Sequence, residues 1–99
     1  MPSKRKHFDT MAEVRAEIDA LDREIVALLA DRLHYIDEAA RIKQSRDQVR
    51  DEARIADVLA KVETEARRLG TESEVVSAAY RMLVEASIAH ELTHFDRRH

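Results

Sequence analysis

The chain has no cysteine and no tryptophan, and only one glycine, one proline and four aromatic residues among its 99. The missing cysteine excludes disulfides and thiolate metal ligands. So few turn-forming residues cannot punctuate a β-rich fold, which needs a turn every few residues. No long apolar run is present, so nothing approaches a membrane span. The opening MPSKRKHF lacks the apolar centre of a secretion signal. A cytoplasmic protein is the expectation. A net charge of −3 offers no basic excess for nucleic acid.

What is present is amphipathic helix. The composition is 44% hydrophobic and 37% charged, and the apolar residues recur at steps of three and four. Residues 1–8, with Lys4, Arg5 and Lys6, read as a flexible basic tail, and residues 9–99 as one helical domain. Thr10 or Asp9 can cap a first helix, with Glu13 completing a capping box. Nothing interrupts the pattern before Ser45, so this helix spans about 33–36 residues, roughly 50 Å. A compact domain of this size has a radius of gyration of only about 13 Å. Such a helix needs a second chain to cover it, so a homodimer is expected. Ser45–Val49 reads as a polar connection. A second helix is expected from Arg50 to Leu69, stopped by Gly70. A third is expected from Glu72 to Arg97, capped by Thr71 or Ser73. The fold class is therefore all-α, three helices per chain in a homodimer.

Charged and polar residues interrupt the apolar stripes. The first stripe runs Met11, Val14, Ile18, Leu21, Ile25, Leu28, Arg32, Tyr35, Ile36, Ala39, Ile42, Lys43. Lys43 follows Arg32 by eleven residues, about three turns, so both leave the helix on nearly one bearing, with Cα atoms roughly 16 Å apart. Buried charge is costly unless met by an opposite charge. The third stripe carries Ser87 and Glu91, four apart on one face. Two readings fit. Arg32 pairs structurally with Glu91 or Asp37, or Arg32 and Lys43 clamp a small anion between them. Arg15 lies about 25 Å from Arg32 along the helix, rotated by roughly 100°. It can join such a site only from a partner chain in an antiparallel dimer. Arg50, Asp51 and Arg54 open the second helix, where Asp51 suits the helix dipole. His90 and His94 have zinc-like i, i+4 spacing, but no third ligand is evident from the sequence, and no metal is expected. No phosphate loop, nucleophile with its base, or carboxylate pair is present. An enzyme built from this inventory works by positioning and electrostatics, without a cofactor.

The runs Val14-Arg15-Ala16-Glu17-Ile18-Asp19-Ala20-Leu21-Asp22, Ile25-Val26-Ala27-Leu28-Leu29-Ala30-Asp31-Arg32, Ile42-Lys43 and Val49-Arg50-Asp51 with Arg54 resemble the all-helical class of chorismate mutases. The family pattern L-R-x-x-I-D-x-L-D-x-x-I-x-x-L-L-x-x-R is met except for Val14 in the first position. The resemblance, over about residues 11–95, implies an intertwined dimer with two sites and a role in the shikimate pathway and aromatic amino acid biosynthesis. It implies that Arg15 from the partner, Arg32 and Arg54 bind the substrate carboxylates. It implies that Lys43 binds the ether oxygen, Asp51 contacts the ring hydroxyl, Ser87 binds a carboxylate and Glu91 faces Lys43 across the ether oxygen. Conversion of chorismate to prephenate needs no acid, base or nucleophile. It needs the compact conformer held and the growing charge on the ether oxygen stabilised.

Two positions depart from the family. Many members carry glutamine where Glu91 stands. A carboxylate there repels the developing oxyanion, so Glu91 must act protonated, and activity is expected to fall above neutral pH and be relieved by Glu91→Gln. Ile55 replaces a glutamate that contacts the ring hydroxyl in many mutases. Isochorismate pyruvate lyases, which share the fold, also carry an aliphatic residue there, so elimination of pyruvate from isochorismate to give salicylate is the alternative. A non-catalytic helical dimerisation module stays open as a third reading.

Overall fold

The computed structural model describes residues 5–99, and the regular structure among these is helical, with no strand. Part of the expected basic tail, Lys4 included, lies outside the described residues. Arg5–Phe8 have no regular structure, and Lys6 Nζ lies 3.6 Å from Glu17. Helix α1 is Met11–Ile42, α2 is Glu52–Arg68 and α3 is Ser73–Arg98. The described residues fall into two units, one ending at His34 and one running Tyr35–His99. No helix among them is long and apolar enough to cross a membrane.

Each helix end has a local cause. At the start of α1 the Thr10 hydroxyl accepts from Glu13 N at 3.2 Å and donates to the Glu13 carboxylate at 2.8 Å, meeting donors that the first turn leaves open. No glycine or proline follows within α1, and it runs 32 residues. It ends just before Lys43, whose N donates to Ala39 O at 3.0 Å. A single turn of 3-10 helix, Arg46–Gln48, occupies the connection. The Gln48 amide oxygen folds back on it, accepting from Gln44 N at 2.8 Å and Ser45 N at 3.2 Å.

Asp51 caps α2 by accepting from Arg54 N at 3.0 Å, a contact worth about 1 kcal/mol. The second helix thus begins two residues after the expected Arg50, because Arg50 stands before the cap. Gly70 closes α2 with φ 71°. Gly70 N donates to Arg67 O and Thr71 N to Ala66 O, both at 3.0 Å, the paired bonds of a Schellman end, which needs a residue in the left-handed region. The expected cap of α3 at Thr71 or Ser73 is corrected. Glu72 occupies that position, and its side chain makes no capping bond.

The core of the Tyr35–His99 unit is small. Ala40 of α1, Val49 of the connection and Phe95 of α3 are buried together, with Ile88 and Leu92 packed against them. Helix α2 packs on α3, where Ala66 and Val84 are buried. The apolar stripe of α1 fares differently. Met11, Ile18, Leu21, Ile25 and Leu28 are all exposed, Leu28 to 67%. Within the unit ending at His34, no described residue is buried. The sequence pattern of a buried face is therefore met in period and left uncovered by the chain itself.

Candidate functional site

The apolar face of α3 carries its polar residues inward. Ser87 and Glu91 are each only 4% exposed, on the face that also buries Val84 and Phe95. One turn separates the two side chains. The Ser87 hydroxyl turns back and donates to Leu83 O at 2.7 Å, so this bond satisfies it against its own helix. Glu91 is met from outside the helix. Lys43 Nζ donates to Glu91 Oε2 at 2.7 Å. The ammonium retains two further donors, and its side chain is more exposed than the carboxylate. No buried side-chain polar atom among the described residues lacks a partner.

Asp51, as the cap of α2, is exposed and directs one oxygen at Arg54 N. The Arg54 guanidinium does not turn towards Lys43 or Glu91. It donates to Asp57 at 2.8 Å, and Lys61 reaches the same carboxylate at 2.9 Å. Asp57 is held below the usual carboxylate range by the Lys61 hydrogen bond first; desolvation opposes it next, and the Arg54 bond adds to the lowering.

Arg50 makes the most extensive contacts of the three residues that open α2. Its two terminal nitrogens donate to both oxygens of Glu85 on α3 at 2.9 Å, and its Nε to Glu52 at 2.7 Å. This fork-to-fork pairing pushes the guanidinium above its usual range, through the Glu85 bond first and the Glu52 bond second. Glu85 is held below the ordinary carboxylate range by the same contact. Nothing in the sequence singled out Glu85, because a surface glutamate on a charged face carries no pattern.

An open depression of about 670 Å³ lies against the connection, lined by Lys43, Gln44, Asp47, Gln48, Arg50 and Asp51 among others. It takes in Lys43 and Asp51 of the expected site. Arg54, Ser87 and Glu91 are not on its lining. Arg15 and Arg32 stand on the part of α1 in the unit ending at His34, Arg15 exposed and Arg32 half-buried. Glu91 accepts from Lys43, and Asp37 meets His90. Ile55 sits half-buried in the first turn of α2, its N donating to Asp51 O at 2.9 Å.

The expectation that His90 and His94 have no third ligand is also corrected. Asp37 Oδ1 lies 2.7 Å from His90 Nε2 and 3.6 Å from His94 Nδ1. The i, i+4 spacing was legible in sequence. The aspartate comes from α1, more than fifty residues earlier, and only packing brings it there.

A family model described as chorismate mutase type II matches residues 14–92. No curated protein matches the chain.

Proposed function

Since the chain belongs to the chorismate mutase type II family, we propose that it rearranges chorismate to prephenate, with Lys43 and Glu91 at the breaking ether bond. The observation that carries this reading is the 2.7 Å pair between Lys43 and a Glu91 that is 4% exposed. An ion pair is a poor way to stabilise so small a core, because taking the charges from water offsets most of their attraction. A cation and a hydrogen-bonding carboxyl held ready at one point suit a reaction in which charge grows on one oxygen.

In this reading Lys43 keeps one bond to Glu91 and turns a second donor to the ether oxygen. Glu91, protonated, donates to the same oxygen from the other side. Ser87 releases Leu83 O to meet a carboxylate, and Asp51 and Arg54 meet the ring hydroxyl and a carboxylate from the start of α2. Arg32 binds a carboxylate within the chain, and Arg15 supplies its charge across a homodimer. The exposed stripe Met11, Ile18, Leu21, Ile25, Leu28 supports the dimer, since an apolar helical face of that length is stable in water only when covered. Rate enhancement then comes from holding the compact conformer and from binding the transition state more tightly than the ground state.

Ile55 favours a second reading. An aliphatic side chain half-buried in the first turn of α2 offers no hydrogen bond to a ring hydroxyl, which suits isochorismate and pyruvate elimination. Incubation with chorismate and isochorismate separately, reading prephenate, salicylate and pyruvate, decides between them. Prephenate formation from chorismate that is lost in Lys43→Ala supports the mutase. Salicylate and pyruvate from isochorismate alone overturn it. No turnover of either substrate returns the chain to a non-catalytic dimer.

A further inference from the structure

The geometry points to a divalent transition-metal site of the zinc class, held by Asp37, His90 and His94, and we propose it as a staple between α1 and α3. The inference rests on side-chain geometry and does not depend on the mutase reading.

One turn of α3 stacks the two imidazoles, with centroids 6.2 Å apart and planes at 23°. Each ring turns one nitrogen towards the same carboxylate oxygen. Asp37 Oδ1 is 2.7 Å from His90 Nε2 and 3.6 Å from His94 Nδ1. The three atoms lie within 4.8 Å of one another. Ligand atoms about 2.0–2.1 Å from a tetrahedral zinc stand about 3.3 Å apart. The His94 separation already suits that geometry, and the His90 separation needs to widen by about 0.6 Å, within reach of a small rotation of the exposed His90 side chain. Two imidazoles and one carboxylate select zinc, cobalt or nickel over calcium and magnesium, which take oxygen cages. His90 is exposed, so water can complete the coordination, as in three-ligand zinc sites.

The metal-free contacts explain what binding displaces. Arg98 Nε donates to His94 Nε2 at 3.3 Å, which places the His94 proton on Nδ1, facing Asp37. Metal on Nδ1 requires the ring's one proton to move, through solvent, from Nδ1 to Nε2, so the Arg98 bond must break. Arg98 therefore opposes the metal, and Arg98→Ala should bind it more tightly. Because the ligands come from two helices, the ion ties the last turns of α1 to α3. Glu91 directly follows His90, and Lys43 follows Asp37 by less than two turns.

The test uses the full chain stripped with chelator and titrated with zinc chloride against a chromophoric zinc indicator. One zinc per chain is expected, with a rise in melting temperature of several degrees at saturating metal. Magnesium and calcium should produce no rise. His90→Gln, His94→Gln and Asp37→Asn should each weaken zinc at least tenfold, while His34→Gln and His99→Gln bind as the parent does. Circular dichroism and the metal-free melting temperature of each variant separate lost ligation from lost folding. If a ligand variant unfolds, the Arg98→Ala comparison decides: unchanged or weaker zinc binding there counts against the site. No saturable binding at 100 μM zinc (roughly the weak end for a useful three-ligand site), or binding that survives both histidine substitutions, overturns it.

Discussion

Lys43 Nζ donates a 2.7 Å hydrogen bond to Glu91 Oε2, joining the residue that follows α1 to the buried face of α3. The pair crosses nearly half the chain in sequence and lies in the unit whose small core is Ala40, Val49 and Phe95. In the proposed reaction both groups address one oxygen, and removing either should affect turnover more than folding. Lys43→Ala should lower kcat/KM by about 10²–10³, the usual cost of losing one donor to a developing oxyanion. It also leaves the Glu91 carboxylate without its partner, at about 1–3 kcal/mol. Melting temperature and kcat/KM measured on the same preparation separate these effects, and a variant that melts lower yet turns over normally removes Lys43 from the site.

Glu91 in its ionised form pairs with Lys43 and repels charge on the ether oxygen. An amide at this position donates a hydrogen bond at every pH. Glu91→Gln should therefore match or exceed the wild-type kcat at neutral pH. A Glu91→Gln variant that folds as wild type but loses turnover would show that a neutral donor at this position is not what the transition state needs.

The exposed stripe of α1 and the exposed Arg15 to one side of it predict a composite site. Arg15→Ala and Lys43→Ala homodimers should each be nearly inactive. Mixed, unfolded together and refolded, they should recover about a quarter of wild-type activity. Half the dimers are then hybrids, each with one intact site made from the wild-type Arg15 of one chain and the wild-type Lys43 of the other. If Arg15 acts within its own chain, the mixture gains nothing. Sedimentation of the parent protein should give twice the chain mass of 11.4 kDa.

Arg50 and Glu85 predict an acid limit on stability. Glu85 is held below the ordinary carboxylate range through its hydrogen bonds from Arg50. The folded state thus binds its proton less readily than the unfolded chain does. The stabilisation is present above the ordinary carboxylate range and is lost as pH falls through the lowered folded-state range. Glu85→Gln should melt lower than wild type at neutral pH, and the two melting curves should converge on acidification. Both side chains are exposed, so added salt should narrow the neutral-pH difference as well. A gap that persists at low pH would assign the effect to packing.

The helices were readable because their causes are local. Thr10 with Glu13, Asp51 with Arg54 N, and Gly70 at φ 71° each act within a few residues, and the unbroken stretch between Met11 and Ile42 forces one long helix. The charged residues on the stripes were readable as anomalies for the same reason, since a period of 3.6 shows which face each occupies. Which anomaly meets which was not readable from periodicity. The residues alone left Arg32 as a candidate partner for Glu91 and gave His90 and His94 no third group. Packing decided that Lys43 reaches Glu91, that Asp37 reaches both histidines, and that Arg50 forks onto Glu85. Those pairings depend on where one helix crosses another. A small change in crossing angle moves a side-chain tip by several ångströms, the full reach of a hydrogen bond. Local residue patterns set the three helices, their ends to within two residues, and the polar residues on their faces. The tertiary structure decided their partners, because only packing fixes distances between residues far apart in the chain.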